Sequence, residues 1–595
     1  MRRYCALALG LTSLLGCAVA QRAPPLGTTE VVRAEVGQRA DELLTRAVPF
    51  GFDGQVLIEA DGELLLHRAY GVANRATGRA MTSDTRIGIT SMSKQMVAAA
   101  ILRLEELGRL AVTDSIARYY ANAPADKAAI TIHQLLTHTA GLRPGDIAGE
   151  NDVASRDDLL RRIMAQPLAG KPGERWRYAN TGYSLLAGII EEVTGAPYEQ
   201  FMVDGLFTRA GMRHTGFWHW PRLTEQQVAH SYRGWTDRGS PATWARDWRV
   251  YGAGDIVSTV ADLYRWELAL REKRILSAAA LEKYMTPHVA LGSDGRTSYA
   301  YGLFVHHSED GRTVVEHGGD WQGGYNGVIL RYVDEKKLII VLATARDGHG
   351  QWLRQAVQGD LESIARGADS LIMAPSTRPV SKADRHVMSA EYALDGGGRI
   401  EFHDDGTYLW MSAEGQRAVS LLRDGNPEAS AGQELGNAKT RALLSAVNAD
   451  ARAAYEAALT AGEAGAIDGY LREWSQLVNR FGALRGFELL GSVPFGPSIE
   501  TTARLMFSSD TIPMSFLWRD RGEGRLMGTL IRDKPSLVPL LASYPVAALE
   551  NGSFMGWDLF RKRGLVFDTR PGEKPARSNS LVFRINEGTV TARRP

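Results

Sequence analysis

The chain has 595 residues, 44% of them hydrophobic and 23% charged, enough apolar material for about two to four globular units. Its formal net charge of +1 and pI near 7.8, with no long Lys/Arg block, lack the electrostatic footprint of a protein that binds nucleic acid or an acidic surface. Both cysteines, Cys5 and Cys17, fall within the first 20 residues, so disulfides, thiol nucleophiles and cysteine-ligated zinc are excluded downstream of them. A small molecule or peptide is the partner this composition suits.

In chain order, "MRRYCALALGLTSLLGCAVAQ" sets Arg2 and Arg3 before an apolar run too short to cross a bilayer, which reads as a signal peptide over residues 1–20. Ala18-Val19-Ala20 is a small-x-small cleavage site. Leu14-Leu15-Gly16-Cys17 resembles a lipobox, so a lipid anchor at Cys17 is the alternative and the one expected route to a membrane. After a predicted helix around 30–47, "GQVLIEADGELLLHRAYGVAN" flanks Asp61-Gly62 with two apolar runs, the pattern of a strand hairpin with a tight turn. From Ser91 to Leu107, the apolar positions Met96, Ala99, Ala100, Leu104 and Leu107 recur at helical spacing and place "SMSK" at a helix N-terminus. Residues 110–290 are mostly helical in pattern. Strand patterns return in "YAYGLFVHH", "RTVVEHG", "NGVILRYV" and "KKLIIVLAT", which predicts one sheet built from distant parts of the chain.

"LIMAPSTRPVSKADRHVM" over 371–388 reads as a linker, which bounds a first domain at 30–370. A small β-rich segment is expected at 389–436. An α+β accessory domain follows at 437–595, with an alanine-rich helical stretch to about 481 and strand-like runs such as "TTARLMFSS" and "IPMSFLWRD".

The chemistry concentrates in three short stretches. A serine hydroxyl is a weak nucleophile at its free pKa, and Lys94 lies one helical turn from Ser91, on the same face, where its amine can hold or accept the proton. Chance supplies a Ser-x-x-Lys pair about once or twice in a chain this long. Only Lys94, however, has a serine three residues before it. "YAN" at 178–180 opens a helix, and "HGG" at 317–319 ends a strand. A phenol beside an ammonium can have its pKa drawn down, an asparagine can orient lysine or substrate, and a glycine pair opens a strand edge to substrate backbone.

Together "SMSK", "YAN" and "HGG", in this order on helix, loop and strand, resemble the serine β-lactamase and penicillin-binding protein superfamily. The resemblance is closest to its class C β-lactamase, DD-peptidase, D-aminopeptidase and esterase branch. "ITIHQLLTHTAGL", "GAGDIVSTVADLYRW" and "EHGGDWQGGYNG" run alongside it, and it covers about residues 36–365. It implies an α+β fold, an antiparallel sheet flanked by helices plus a helical subdomain, followed by β-rich and helix-plus-sheet accessory regions. It further implies Ser91 as acylated nucleophile, Lys94 as its proton partner and Tyr178 as general base and leaving-group acid. Asn180 would bridge Lys94 and substrate, His317 and Gly319 would form the third motif, and the N–H groups of Ser91 and Asp320 would make the oxyanion hole. No metal or organic cofactor is implied. A second "YAN" at Tyr120 stands too close to Ser91 and reads as structural.

His317-Gly318 departs from the lysine and threonine with which many β-lactamases and transpeptidases begin this motif. The expected activity is therefore hydrolysis of a peptide, amide or ester by an exported bacterial enzyme of the periplasm or cell envelope. A true β-lactamase and a catalytically silent cell-wall peptide binder are the alternatives. A Gly-x-Ser-x-Gly elbow, which an α/β-hydrolase would need, is absent from the sequence. Of Trp218, Trp220, Trp235, Trp244 and Trp248, most are expected in the core, with one or two lining a cleft.

Overall fold

The Asp61-Gly62 turn forms as its residue types predict: both lie at positive φ, +50° and +81°, and they join strands Gly54–Ala60 and Glu63–Tyr70. The computed structural model describes residues 29–594 apart from 145–152, 348–350, 460–463, 496–497, 520–525, 532–542, 570–579, 586–587 and the single positions 222, 293, 310, 322 and 369. The leader, with Cys17 and Ala20, lies outside the described residues.

In chain order the main sheet comprises β1 (Val31–Val32), β2 (Gly54–Ala60), β3 (Glu63–Tyr70), β4 (Val289–Leu291), β5 (Thr297–Tyr299), β6 (Phe304–His307), β7 (Thr313–Asp320), β8 (Asn326–Tyr332) and β9 (Lys337–Ala343). They lie side by side as β1-β3-β2-β9-β8-β7-β6-β5-β4, all antiparallel. The predicted joining of distant segments is thus made by β2 against β9, Val56 opposite Val341. One face is covered by α1 (Ala34–Ala47) and α4 (Leu353–Ala365), with Leu44, Val341 and Leu361 in one core cluster. The other face packs on α2 (Ser93–Glu106), which runs beside α3 (Asn180–Thr194) in the largest core; Met96, Leu186 and Ile340 belong to it. α2 is buried for almost its whole length, which explains its all-round apolar run.

The accessory region differs from the division at 436 that its sequence suggested. Strands β10 (Glu391–Leu394), β11 (Arg399–Asp404) and β12 (Leu409–Glu414) do not form a segment of their own. They continue into β17 (Ser543–Ala548), β18 (Phe554–Asp558), β19 (Arg563–Thr569), β20 (Ser580–Ile585) and β21 (Gly588–Arg593), where β10 pairs with β21, β12 with β17, and β17 with β18. The result is a closed eight-stranded antiparallel barrel. Its interior is filled by Phe402, Phe554, Phe567 and Phe583, whose rings meet at centroid distances of 5.2–5.6 Å. Inserted between β12 and β17 are helices α5 (Gln416–Asp424), α6 (Ala431–Ala446), α7 (Ala451–Ala458) and α8 (Ala464–Phe481). A four-stranded sheet follows them: β13 (Leu484–Phe495), β14 (Ser498–Phe507), β15 (Thr511–Arg519) and β16 (Leu526–Ile531). The 371–388 segment carries a short strand, Arg378–Pro379, paired with β17, and a helix, Lys382–Met388.

The barrel is fastened to the first domain by a fully buried ionic knot. Arg75 donates to Asp53 at 3.1 Å, to the Gly234 carbonyl at 2.8 Å and to Asp405 of the barrel at 3.4 Å, while Tyr408 donates to Asp53 at 2.6 Å. Trp235 stacks on His403 at 5.2 Å. Of the five tryptophans singled out by sequence, Trp235 therefore serves this junction, and Trp248 packs on Tyr251 at 4.7 Å.

Candidate active site

Ser91 lies in a single 3-10 turn, Thr90–Met92, that feeds directly into α2. Thr90 is held at φ +49°, a costly conformation for a β-branched residue, immediately before the hydroxyl in question. β7 lies against this turn because Gly319 has no side chain: a Cβ there would sit 2.3 Å from both the Ile89 carbonyl oxygen and Thr90 Oγ1. Lys94 is completely buried, and its Nζ donates to Ser91 Oγ at 3.0 Å and to the Ala253 carbonyl at 2.8 Å. The Tyr178 ring lies 4.8 Å from that Nζ, and its hydroxyl hydrogen-bonds with Ser91.

Strand register accounts for the third motif. Trp321 N–H bonds to the Tyr325 carbonyl of the next strand, so by antiparallel alternation His317 and Gly319 turn their backbone groups toward β8, whereas Gly318 and Asp320 turn theirs away. On that side β6 begins only at Phe304, opposite Glu316. The Asp320 N–H therefore points into an open strand edge beside the Ser91 turn. Gly318 makes room for Arg354 of α4, whose Nη2 would lie 3.0 Å from a Cβ there; Arg354 holds the Asp320 carboxylate through two 3.2 Å bonds.

Two expectations are corrected. The Tyr178 phenol is not drawn down; burial pushes it well above its ordinary value, assisted by the Asp320 and Glu316 charges. The Lys94–Asn180 bridge is not formed either, since Asn180 Oδ1 is buried without a hydrogen-bond partner while Lys94 uses the Ala253 carbonyl. His317 is neutral at physiological pH: burial, and next the Lys94 charge, lower it to about 4. Tyr120 sits elsewhere and donates to the Leu185 carbonyl at 2.7 Å.

Three contributors went unassigned in the sequence. The Ala253 carbonyl is backbone and carries no residue signal beyond the quoted "GAGD". Asp255, fully buried, accepts the Gly252 N–H at 3.2 Å and shapes that turn. His138 packs 4.3 Å from Tyr178 and accepts the Ala179 N–H at 3.2 Å, in the middle of "YAN"; burial keeps it neutral. Its signal was its place in "LLTHTAGL".

Ser91 and Asn180 stand between two cavities. One, of about 650 Å³, runs along β7 past Tyr178, His306, Glu316 and His317. The other, of about 460 Å³, is walled by Trp218, Trp244, Trp321, Arg233 and Arg238. Trp218 and Trp244 are thus the two cleft-lining members of the tryptophan-rich segment.

The family model described as Beta-lactamase matches residues 53–359, more than half of the chain and the whole of this site. The chain belongs to the beta-lactamase family. Among its relatives is penicillin-binding protein 4* of Bacillus subtilis (strain 168), 29% identical over 387 residues, which cover 62% of this chain and 83% of that protein. The putative penicillin-binding protein PbpX of the same organism is 35% identical over 258 residues, 43% of this chain and 62% of its own length. The octameric penicillin-binding protein homologue from Pyrococcus abyssi shares the fold over 94% of this chain and 100% of that one, at 17% identity and a TM-score of 0.51. The D-amino acid amidase from Ochrobactrum anthropi SV3 complexed with L-phenylalanine amide does so over 56% and 100%, at 20% identity and a TM-score of 0.50. Family membership supports a serine hydrolase. Among the described residues, no helix is long and apolar enough to cross a membrane.

Proposed function

We propose that this protein is an exported serine hydrolase that forms an acyl-enzyme on Ser91 and acts on a peptide, amide or ester. The observation that carries the reading is the buried Lys94 Nζ, 3.0 Å from Ser91 Oγ, at the start of a helix beside an open strand edge. Ser91 Oγ attacks the substrate carbonyl carbon, and its proton passes to the Tyr178 oxygen. Because burial keeps Tyr178 protonated at rest, the phenol acts as a relay: its own proton goes to the leaving nitrogen or oxygen as that bond breaks. Lys94 anchors Ser91 Oγ, and the N–H groups of Ser91 and Asp320 receive the carbonyl oxygen as it becomes negative. Water then attacks the ester, with Tyr178 relaying protons in the opposite direction, and frees Ser91.

A neutral His317 supports peptide, amide or ester substrates over β-lactams, because the site presents no cation where many lactamases carry lysine. Turnover of a p-nitrophenyl ester panel, D-alanyl p-nitroanilide and nitrocefin, with Ser91→Ala alongside, tests the reading. Hydrolysis of an ester or anilide that Ser91→Ala abolishes is expected. Preferential nitrocefin hydrolysis would make it a lactamase, and no Ser91-dependent turnover of any of them would leave a binder.

A further inference from the structure

Side chains alternate along β7, so the third motif serves both faces of the sheet. Gly319 packs on the Ser91 turn, whereas Gly318 and Asp320 face α4 on the opposite side, where both meet Arg354. Arg354 is the second residue of α4, in the turn where the helix macrodipole disfavours a cation. Its side chain is nonetheless buried there with every nitrogen engaged. Nε and Nη2 donate to different Asp320 oxygens, each at 3.2 Å, and Nη1 donates to Gln358 Oε1 at 3.0 Å. Gln358 is held in turn by Glu362 at 2.9 Å.

The same residue grips the neighbouring strand through its backbone. Arg354 N–H donates to Asn326 Oδ1 at 2.9 Å, and the fully buried Asn326 amide donates to the Gly324 and Ala345 carbonyls at 2.6 and 2.8 Å. Asp320 and Asn326 are register partners at the ends of β7 and β8. Arg354 therefore ties both strand ends to one helix. Residue 320 needs such a tie, because on its other side β6 begins only at Phe304, opposite Glu316, and a strand end paired along one edge frays. An N–H that receives a developing oxyanion acts only if it is held to within about 0.5 Å. An uncompensated carboxylate on the donor residue would also oppose negative charge at its own N–H. The forked ion pair fixes that backbone and offsets that charge with one contact.

We propose that Arg354 is a positioning residue of the oxyanion hole: through the Asp320 carboxylate it aims the Asp320 N–H at the carbonyl oxygen and cancels the charge beside it. The role rests on the reading of Ser91 as the acylated residue. It also accounts for Gly318, since any side chain there would meet the Arg354 guanidinium, with a Cβ only 3.0 Å from Nη2.

The test compares kcat/KM for an aryl ester and for the matching thionoester, in which sulfur replaces the carbonyl oxygen. Sulfur is a weak hydrogen-bond acceptor, so the thionoester draws little on the hole. Wild type, Ser91→Ala, Arg354→Met, Arg354→Lys and Asp320→Ala are measured together, with a urea midpoint for each. Losing an oxyanion donor outright costs about 10²–10³-fold, and a misaimed one is expected to cost about tenfold. Arg354→Met should therefore lower kcat/KM on the oxygen ester about tenfold and on the thionoester much less, so that the oxygen-to-sulfur ratio falls. Arg354→Lys, which keeps the charge but only one prong, should fall between Arg354→Met and wild type. Asp320→Ala breaks the pair from the other side and should lower the same ratio, which preserves the test if Arg354→Met does not fold. Equal losses on both esters, as a purely structural role would give, or no loss at all, overturn the proposal while leaving Ser91-dependent turnover in place. Turnover that survives Ser91→Ala removes the catalytic reading and this role with it.

Discussion

The molecule contains two large antiparallel assemblies that solve the strand-edge problem in opposite ways. The barrel closes, β17 meeting β18, so that its hydrogen-bond ladder has no open edge, and phenylalanine rings pack its interior. The first sheet stays open where β7 outruns β6, and there the Asp320 N–H, the Ser91 turn and two cavities meet. Chemistry sits where the hydrogen-bond ladder is left incomplete, and stability where it is completed. The barrel touches the first domain at the Arg75 junction and at α4, the helix that carries Arg354, where Lys562 donates to the Ala356 carbonyl at 3.0 Å.

That contrast can be broken first at the open edge. Ser91→Ala should cut turnover about 10³-fold or more while leaving the unfolding midpoint in place, and Tyr178→Phe should cost about 10²–10⁴-fold. Equal activity in Tyr178→Phe would transfer the proton relay elsewhere. At the junction the effects should be on stability instead. Arg75→Met leaves Asp53 and Asp405 buried without their cation and should lower unfolding free energy by about 3–5 kcal/mol in urea titrations. Within the barrel, Phe583→Ala opens a cavity in a fully buried aromatic cluster and should cost about 3–5 kcal/mol with kcat on a small neutral ester unchanged. A large fall in kcat from that variant would mean that the barrel acts on the chemistry itself.

The smallest effect concerns pH. The folded chain keeps His317 neutral down to about pH 4, whereas its ordinary value is 6.5. Unfolding therefore takes up a proton between those values, and stability falls as pH drops through that window. His317→Asn should lessen the difference in urea midpoint between about pH 7 and about pH 4.5. An unchanged difference would place the acid sensitivity in other groups.

Much of the first domain was legible because local rules decide it. Asp61-Gly62 specifies a turn, the α2 periodicity specifies a helix, and three motifs specify side chains that the fold then brings together. The barrel was not legible. Its closure pairs Leu409 with Val546 and Ala393 with Arg593, contacts across more than a hundred residues that period-two patterning cannot assign to partners. Within the site, Ser91, Lys94 and Tyr178 could be placed from residue type. The Ala253 carbonyl could not, because any residue supplies one. The direction of the Tyr178 shift could not be placed either, since it depends on how deeply His138 and Trp176 bury the ring, at 4.3 and 6.1 Å. Nothing in the sequence marks Arg75 as buried, because its partners Asp405 and Tyr408 come over it from the barrel, more than three hundred residues away.

The most direct test of the central claim is to find the residue that is acylated. The protein is treated with a neutral fluorophosphonate, its intact mass is recorded, and the modified peptide is mapped. A single adduct on Ser91 of "SMSK" is expected, lost in Ser91→Ala and strongly slowed in Lys94→Met. An adduct on another residue, or none on a folded protein, would contradict it.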